Sequence, residues 1–499
     1  MRIVLISPRL AVQKRDFLGS GIPYWPLELA ITCAFLKDKG ESVTVIDLFG
    51  SSPTELEDSR DHYLQGMPFS RFVDSSKVKD AELFILFAIS YMSHKELLNI
   101  AESIRSNYPE VPIAVLENSQ AVTAYNIAEV AVDFFNHGVG ALICGEIYWN
   151  YDEIKNYLKD KKNLETPQNI VVSALADNFV LRRKTNKKPS YPVPAWEMFN
   201  LENYWSLPYS HGPRINRYFP MLTSRGCSYS CDFCIVPSVN DKNWRAREPE
   251  EVVEEMFTLK EKFGVSHFQI EDLNPTLDSS RWTKICSAII ERGGGIFFYF
   301  VSGTKAETIK IDQVPLFAKA GCRYISISPE SGSAKVLKAM GKSFDYSHGL
   351  AFISECHKHG IYTQACFLVG HPSETYEDHR LSCDYLSSLI KAGLDEAAVF
   401  VISPLAGSGL FRDGIPMSSS KSLISFSPKG RQDWLLVSKR RREIVKVFLI
   451  EKLKRGMGIW LQAIRAVLGK PRTKIENLPR RIMFIYRQIL RLKMKKLFL

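Results

Sequence analysis

Three cysteines, Cys227, Cys231 and Cys234, stand at C-x3-C-x2-C spacing directly after the apolar run Tyr218 to Leu222. Thiolates this close in sequence can face one metal centre from a single loop, and Gly226 lets the backbone turn sharply just before the first of them. Three is an informative number. A structural zinc takes four ligands, and an electron-transfer iron–sulfur cluster is held by four cysteines. Three suit a four-iron cluster whose remaining iron is open to a substrate or cofactor. With ten cysteines in 499 residues, three unrelated buried thiols at this spacing is the weaker reading. The other seven, Cys33, Cys144, Cys286, Cys322, Cys356, Cys366 and Cys383, show no framework spacing, which points to a reducing cytoplasm.

A loop of this kind needs a scaffold, and strand and helix patterns alternate from Tyr218 onward. Strands are expected at Tyr218–Leu222, His267–Ile270, Ile296–Val301, Tyr324–Ser328, Thr363–Leu368 and Ala397–Ile402, with helical patterns between them. Six βα units make a partial barrel, whose sites gather at the carboxyl ends of the strands. The first 150 residues alternate as well: Ile3–Ser7, helix Leu27–Lys39, Ser42–Asp47, Ala81–Ile89, helix Lys95–Asn107, Ile113–Leu116, helix Thr123–Asn136, Ala141–Cys144. That rhythm predicts a doubly wound parallel sheet, flavodoxin-like or Rossmann-like. No Gly-x-Gly-x-x-Gly opens its first helix, so a nicotinamide dinucleotide is unsupported. The expected class is α/β: a doubly wound sheet over 1–150, a Pro-rich and charged linker over 151–215, a partial (βα)6 barrel over 216–415 and a basic helical region over 416–499. A chain of 499 residues is too long for one ordinary core, in keeping with that division.

The cysteine triplet, with the aromatic Phe233 before its last member, resembles the radical S-adenosylmethionine superfamily. The longer stretch from about Met1 to about Gly414 resembles the branch with an N-terminal cobalamin-binding domain. The likeness there lies in Pro23–Ala30, the stretch through Asp47, Gly145–Glu146, and the bridging Tyr191–Trp196. The resemblance implies a 4Fe-4S cluster on Cys227, Cys231 and Cys234. It implies that the open iron binds S-adenosylmethionine, which an electron cleaves to a 5′-deoxyadenosyl radical. It places Phe233, Glu271, Asp272, Ser302, Glu330, Gly370 and Thr375 around S-adenosylmethionine, with Asp272 nearest the methionine amino group, Glu330 towards the ribose or methionyl end, and Gly370 and Thr375 at a turn near adenine. Thr375 also reads as a plain helix cap.

Cobalamin would lie along Ser90, Glu117, Asn118, Ser119, Gly145 and Glu146, at the carboxyl edge of the first sheet. Here the chain departs from the family. Glu117-Asn118-Ser119 stands where the family carries paired glycines, and side chains there would fill space that the corrin needs. Two readings follow: a cobalamin domain, or one that keeps the fold without the ligand. No catalytic residue beyond the cluster is assigned by the sequence.

Charge is unevenly placed. Lys421 to Leu499 holds 22 Lys and Arg against 4 Asp and Glu, so this segment carries +18 of a total of +11 and residues 1–420 carry −7. The helical patterns Gln432–Leu468 and Arg480–Leu499 set Trp, Phe, Ile and Leu among those cations, after a polar stretch at Ser418–Lys429. Basic amphipathic helices suit an anionic membrane surface. Packing on the barrel comes second, and nucleic acid third, because aromatics are sparse. No run reaches the roughly 18 apolar residues of a membrane span, and the amino terminus lacks a signal-peptide pattern. The expectation is a cytoplasmic protein, peripheral to the membrane if the tail docks there. It would use a reductant such as flavodoxin or ferredoxin and act on a small-molecule or lipid substrate. Three functions are compatible with these residues: cobalamin-dependent methylation of an unactivated carbon, a cobalamin-free radical rearrangement, cyclisation or coupling, and a non-enzymatic iron–sulfur protein at a membrane surface.

Overall fold

The computed structural model describes residues 1–499 except 15–19, 60–61, 121–122, 160–167, 173–189, 413–430 and 498–499. The polar stretch 418–429 and the basic run 182–189 thus lie outside the described residues.

The described N-terminal residues build a six-stranded sheet from β1 (Arg2–Ser7), β2 (Ser42–Asp47), β3 (Leu83–Ala88), β4 (Ile113–Glu117), β5 (Ala141–Ile143) and β6 (Ile170–Val172). Its order is β2-β1-β3-β4-β5-β6, with β1 to β5 parallel and β6 antiparallel at the edge. Every residue of β3 is buried, as a central parallel strand covered on both faces requires. Ile3 and Leu5 of β1 pack into one core, Val4 and Ile6 into another. The order 2-1-3-4-5 is the flavodoxin-like one, and its strand order reverses between β1 and β3.

Six further strands, β7 (Phe219–Met221), β8 (His267–Ile270), β9 (Phe297–Thr304), β10 (Cys322–Glu330), β11 (Tyr362–Val369) and β12 (Glu396–Val401), pair in chain order, all parallel. This is the open barrel expected from the alternation.

The two sheets share one core. Trp25, Trp196, Tyr204, Trp205 and Phe219 are buried together, with Trp196 stacked on Phe219 at 5.4 Å. The Trp25 indole donates to the Tyr218 hydroxyl at 2.7 Å, and Trp205 donates to the Tyr218 carbonyl at 2.8 Å. Much of the stretch read as linker is therefore structural: it supplies β6 and three of these anchoring aromatics, Trp196, Tyr204 and Trp205, whose large buried faces dominate such contacts.

Two local expectations differ. The helix over Thr123–Asn136 is a 3-10 turn, Ile127–Val130, followed by a short helix, Ala131–Asn136. The start is diverted because the Asn126 amide donates to the Ala406 carbonyl of the barrel at 3.1 Å. The single helical pattern Gln432–Leu468 is broken at Gly456, which takes φ +73°. The tail becomes three helices, Trp434–Lys454, Met457–Leu468 and Leu478–Leu497. Val437, Ile444 and Phe448 of the first join the barrel core.

Candidate active site

The cysteine loop begins where β7 ends, and it is held from several sides. Asp272, just past β8, accepts from the Thr223 amide at 2.7 Å, the Thr223 hydroxyl at 2.7 Å and the Ser224 hydroxyl at 2.5 Å. Arg225 is fully buried, paired with Glu28 at 2.7 Å and Glu146 at 3.5 Å, with its guanidinium over Tyr191. Arg245 pairs with both oxygens of Glu146, at 2.9 and 2.7 Å. Gly226 then turns at φ +74°, and a Cβ there would stand 2.1 Å from the Asn243 carbonyl. No larger residue fits. Beyond the turn, the Asp232 amide donates to the Met340 carbonyl at 3.0 Å, and the Asp232 carboxylate meets His371 Nε2 at 3.0 Å.

This bracing presents Cys227, Cys231 and Cys234 to one cavity of about 1320 Å³. Burial pushes the thiols up, Cys231 to about 11 and Cys234 to about 12, while Lys342 pulls in the opposite direction. Bound metal would reverse that balance, since a coordinating thiol is deprotonated. Among the described residues no group of three or more His, Cys, Asp or Glu is placed to hold a metal ion. The thiols share a wall of the cavity, where three cysteines could hold a cluster with a coordination position open to the cavity.

The other walls come from the whole molecule. Ser7–Leu10 and Ile89–Ser93 bring the β1/β3 edge of the first sheet. Ser302, Gly303, Ser328 and Glu330 bring the ends of β9 and β10, and Lys474 and Arg481 enter from the tail. Glu330 has φ +60°, a conformation that a non-glycine residue adopts only when its surroundings enforce it. The Lys342 ammonium donates to Glu330 Oε1 at 2.8 Å and to Ser328 Oγ at 3.0 Å, fixing where that side chain points.

The residues expected around S-adenosylmethionine are only partly brought together. Phe233, Ser302 and Glu330 line the cavity. Glu271 reaches it through His211, whose Nδ1 lies 2.5 Å from Glu271 Oε2. Asp272 differs from expectation. It is fully buried and spent on Thr223 and Ser224, so it positions the cysteine loop. Gly370 and Thr375 also lie outside the cavity lining. The Gly370 carbonyl accepts from Arg431 at 2.9 Å, under the first tail helix, and Thr375 forms a capping box with Asp378.

Of the residues assigned to cobalamin, Ser90 lines the cavity and the others do not. Glu117 accepts from the Ile127 amide, Asn118 donates to the Ile89 carbonyl, and Ser119 accepts from Gln120. Gln120 bridges to the Gly226 amide at 3.1 Å and to Asn240 at 3.0 Å, closing this end of the interdomain seam. Gly145 lies at the same end, and Glu146 is the counter-ion of Arg225 and Arg245. The Glu117–Ser119 side chains therefore do not line the large cavity.

Sequence reasoning missed His211, Lys474, Cys366 and Glu396, all in the lining. Lys474 is half-buried, and its ammonium donates to the Val301 carbonyl at 2.8 Å. Desolvation lowers its pKa, opposed by Cys366 and Glu396. Nothing in the local pattern marks these residues, because tail and barrel meet only on folding.

Residues 221–386 match the Radical SAM superfamily. A cytidylyl-2-hydroxyethylphosphonate methyltransferase of Streptomyces wedmorensis is 29% identical over 236 residues, 45% of this chain and 43% of that protein. An anaerobic magnesium-protoporphyrin IX monomethyl ester cyclase of Cereibacter sphaeroides is 24% identical over 424 residues, 78% of this chain and 61% of that protein. The matched stretch thus covers less than two thirds of either relative. Among solved structures, the radical S-adenosylmethionine methyltransferase TsrM from Kitasatospora setae, with cobalamin and a [4Fe-4S] cluster bound, aligns over 82% of this chain and 77% of its own, at TM-score 0.58 and 15% identity. The cobalamin-dependent S-adenosylmethionine radical enzyme OxsB, with aqua-cobalamin, aligns over 80% of this chain and 53% of its own, at TM-score 0.58 and 17% identity. These likenesses establish the two-domain fold.

Proposed function

We propose that this chain, whose residues 221–386 are a radical SAM domain, is a cobalamin-dependent enzyme that methylates an unactivated carbon. One observation carries the reading: a single cavity joins the three thiols to the β1/β3 edge of the N-terminal sheet. Ligands of open α/β sheets sit at that reversal of strand order. The cavity, at about 1320 Å³, exceeds the roughly 300–1,000 Å³ typical of a pocket for one small ligand, so it has room for more than one.

When bound, the cluster supplies the electron that cleaves S-adenosylmethionine to the 5′-deoxyadenosyl radical, and cobalamin carries the methyl group. The protein's own residues bind and orient. Cys227, Cys231 and Cys234 hold the cluster. The Glu330–Lys342 pair sets a carboxylate and an ammonium side by side, a match for the ammonium and carboxylate of the methionyl group. Gly303 and Ser302 allow close backbone approach beside them. Phe448 and Leu449 of the first tail helix add apolar surface to the cavity lining. The reductant, flavodoxin or ferredoxin, comes from outside, and the substrate is a small molecule; its lipid character and an anionic membrane surface belong to this proposal too.

A cobalamin-free radical reaction is the second reading, favoured by the sealed β4 and β5 end of the sheet, where Gln120 and Glu146 are committed to the cysteine loop. A non-enzymatic iron–sulfur protein would leave the large cavity without a purpose. Anaerobic purification after growth with hydroxocobalamin separates the two enzymes. Stoichiometric cobalamin in protein with a complete cluster is expected; a complete cluster with no cobalamin would leave the second reading.

A further inference from the structure

The tail exposes apolar residues at helical spacing. On the second tail helix Trp460, Leu461, Ile464, Val467 and Leu468 are exposed, with Trp460 at 63% and Val467 at 81%, while Gln462 and Ala466 are buried. The offsets 0, 1, 4, 7 and 8 mark one face. The third tail helix does the same with Ile482, Met483, Tyr486 and Leu490, its Ile485 and Ile489 being buried. The first adds Val445, Leu449 and Leu453 at steps of four, and Leu435 at 84% exposure. Each helix has thus spent one face on the protein and turned a second apolar face outward. Monomeric soluble proteins rarely carry apolar patches beyond a few hundred Å² without a use for them.

Two observations identify the occupant. The faces are set among cations, with Lys439, Arg442, Lys446 and Lys454 exposed on the first helix alone. A second copy of this chain would oppose that charge to itself across a two-fold interface. An RNA would need stacking platforms, yet Trp460 and Tyr486 are the large aromatics exposed on the described tail. An anionic bilayer surface satisfies both the apolar faces and the cations. Moreover, Leu435, Val445, Leu449 and Ile482 are both exposed and part of the cavity lining, together with Arg441 and Arg442. The cavity therefore opens through the outward apolar surface.

We propose that the tail helices dock this protein on an anionic membrane surface, and that the cavity takes an amphiphilic, membrane-borne substrate through the mouth those helices form. The substrate half rests on the reading of the cavity as the active site. Docking does not, and both halves can be measured without turnover.

Docking is read by flotation of the full chain with phosphatidylcholine vesicles containing phosphatidylglycerol, against phosphatidylcholine alone. Co-flotation with the anionic vesicles, reduced by high salt, is expected. The exposed-face variant Trp460→Ser with Val467→Ser should lower the bound fraction about tenfold or more, each tenfold being about 1.4 kcal/mol, while cluster content stays unchanged. Protein that stays at the bottom with anionic vesicles, or that sediments as a dimer abolished by the same variant, overturns docking. The mouth is read by saturable binding of dansyl-undecanoic acid. Val445→Asp, which sets a carboxylate at the lip, should weaken it about tenfold. No saturable binding by the unaltered chain, or binding indifferent to Val445→Asp, overturns the substrate class.

Discussion

Glu146 reads in the sequence as a ligand residue, and it stands instead at the charge centre beneath the cysteine loop. At 2% exposure it faces Arg245 with both oxygens and Arg225 at 3.5 Å. Removing one partner of a buried ion pair leaves the other charge unpaired, which costs about 3–5 kcal/mol. Glu146→Ala is expected to lose stability on that scale in denaturant unfolding, and to lose iron as the loop loosens. A change within about 0.5 kcal/mol, the size of an ordinary surface substitution, would show that Arg245 and Arg225 are compensated without Glu146. Asp272 teaches the same lesson. A carboxylate at a strand end looks like a ligand in sequence, but hydrogen bonds to Thr223 and Ser224 consume it.

At the scale of elements, the end of β2 carries the clearest pH dependence. Asp47 caps the helix Leu48–Ser51 through the Gly50 amide at 3.0 Å and accepts from the Tyr204 hydroxyl at 2.7 Å. Burial pushes its pKa up to about 6, against the lowering effect of those two hydrogen bonds. A carboxyl raised above its unfolded value of about 3.9 contributes stability that is complete below that value and is lost as pH rises through about 6. A rise of that size corresponds to about 3 kcal/mol between the two ends of the window. Stability measured by denaturant should therefore fall between about pH 4 and about pH 6, and Asp47→Asn should flatten that slope; an unchanged slope in the variant would assign it to other groups. The strands and barrel helices were legible in the sequence because hydrophobic period and cysteine spacing are local. The cover on Gly370 was not, since Arg431 is 61 residues away and reaches it only once the tail helix packs. The break at Gly456 was hidden by apolar residues continuing on both sides of it.

On the scale of the whole molecule, the two sheets and the tail work as one container. The aromatic seam around Trp25 and Phe219 fixes the sheets to each other, the loop braced by Asp272, Arg225 and Gly226 places three thiols on the wall, and the tail supplies the mouth. Sequence alone indicated the two α/β halves and the metal loop. It could not indicate that a single cavity would join them, because that depends on how side chains from segments hundreds of residues apart meet. The central claim is that this wall holds a four-iron cluster which cleaves S-adenosylmethionine. Its most direct test is anaerobic reconstitution with iron and sulfide, followed by S-adenosylmethionine, a strong reductant and quantification of the cleavage products. The account predicts cleavage by the reconstituted chain and its loss in Cys227→Ala, Cys231→Ala and Cys234→Ala alike; intact S-adenosylmethionine over a fully loaded, reduced cluster would contradict it.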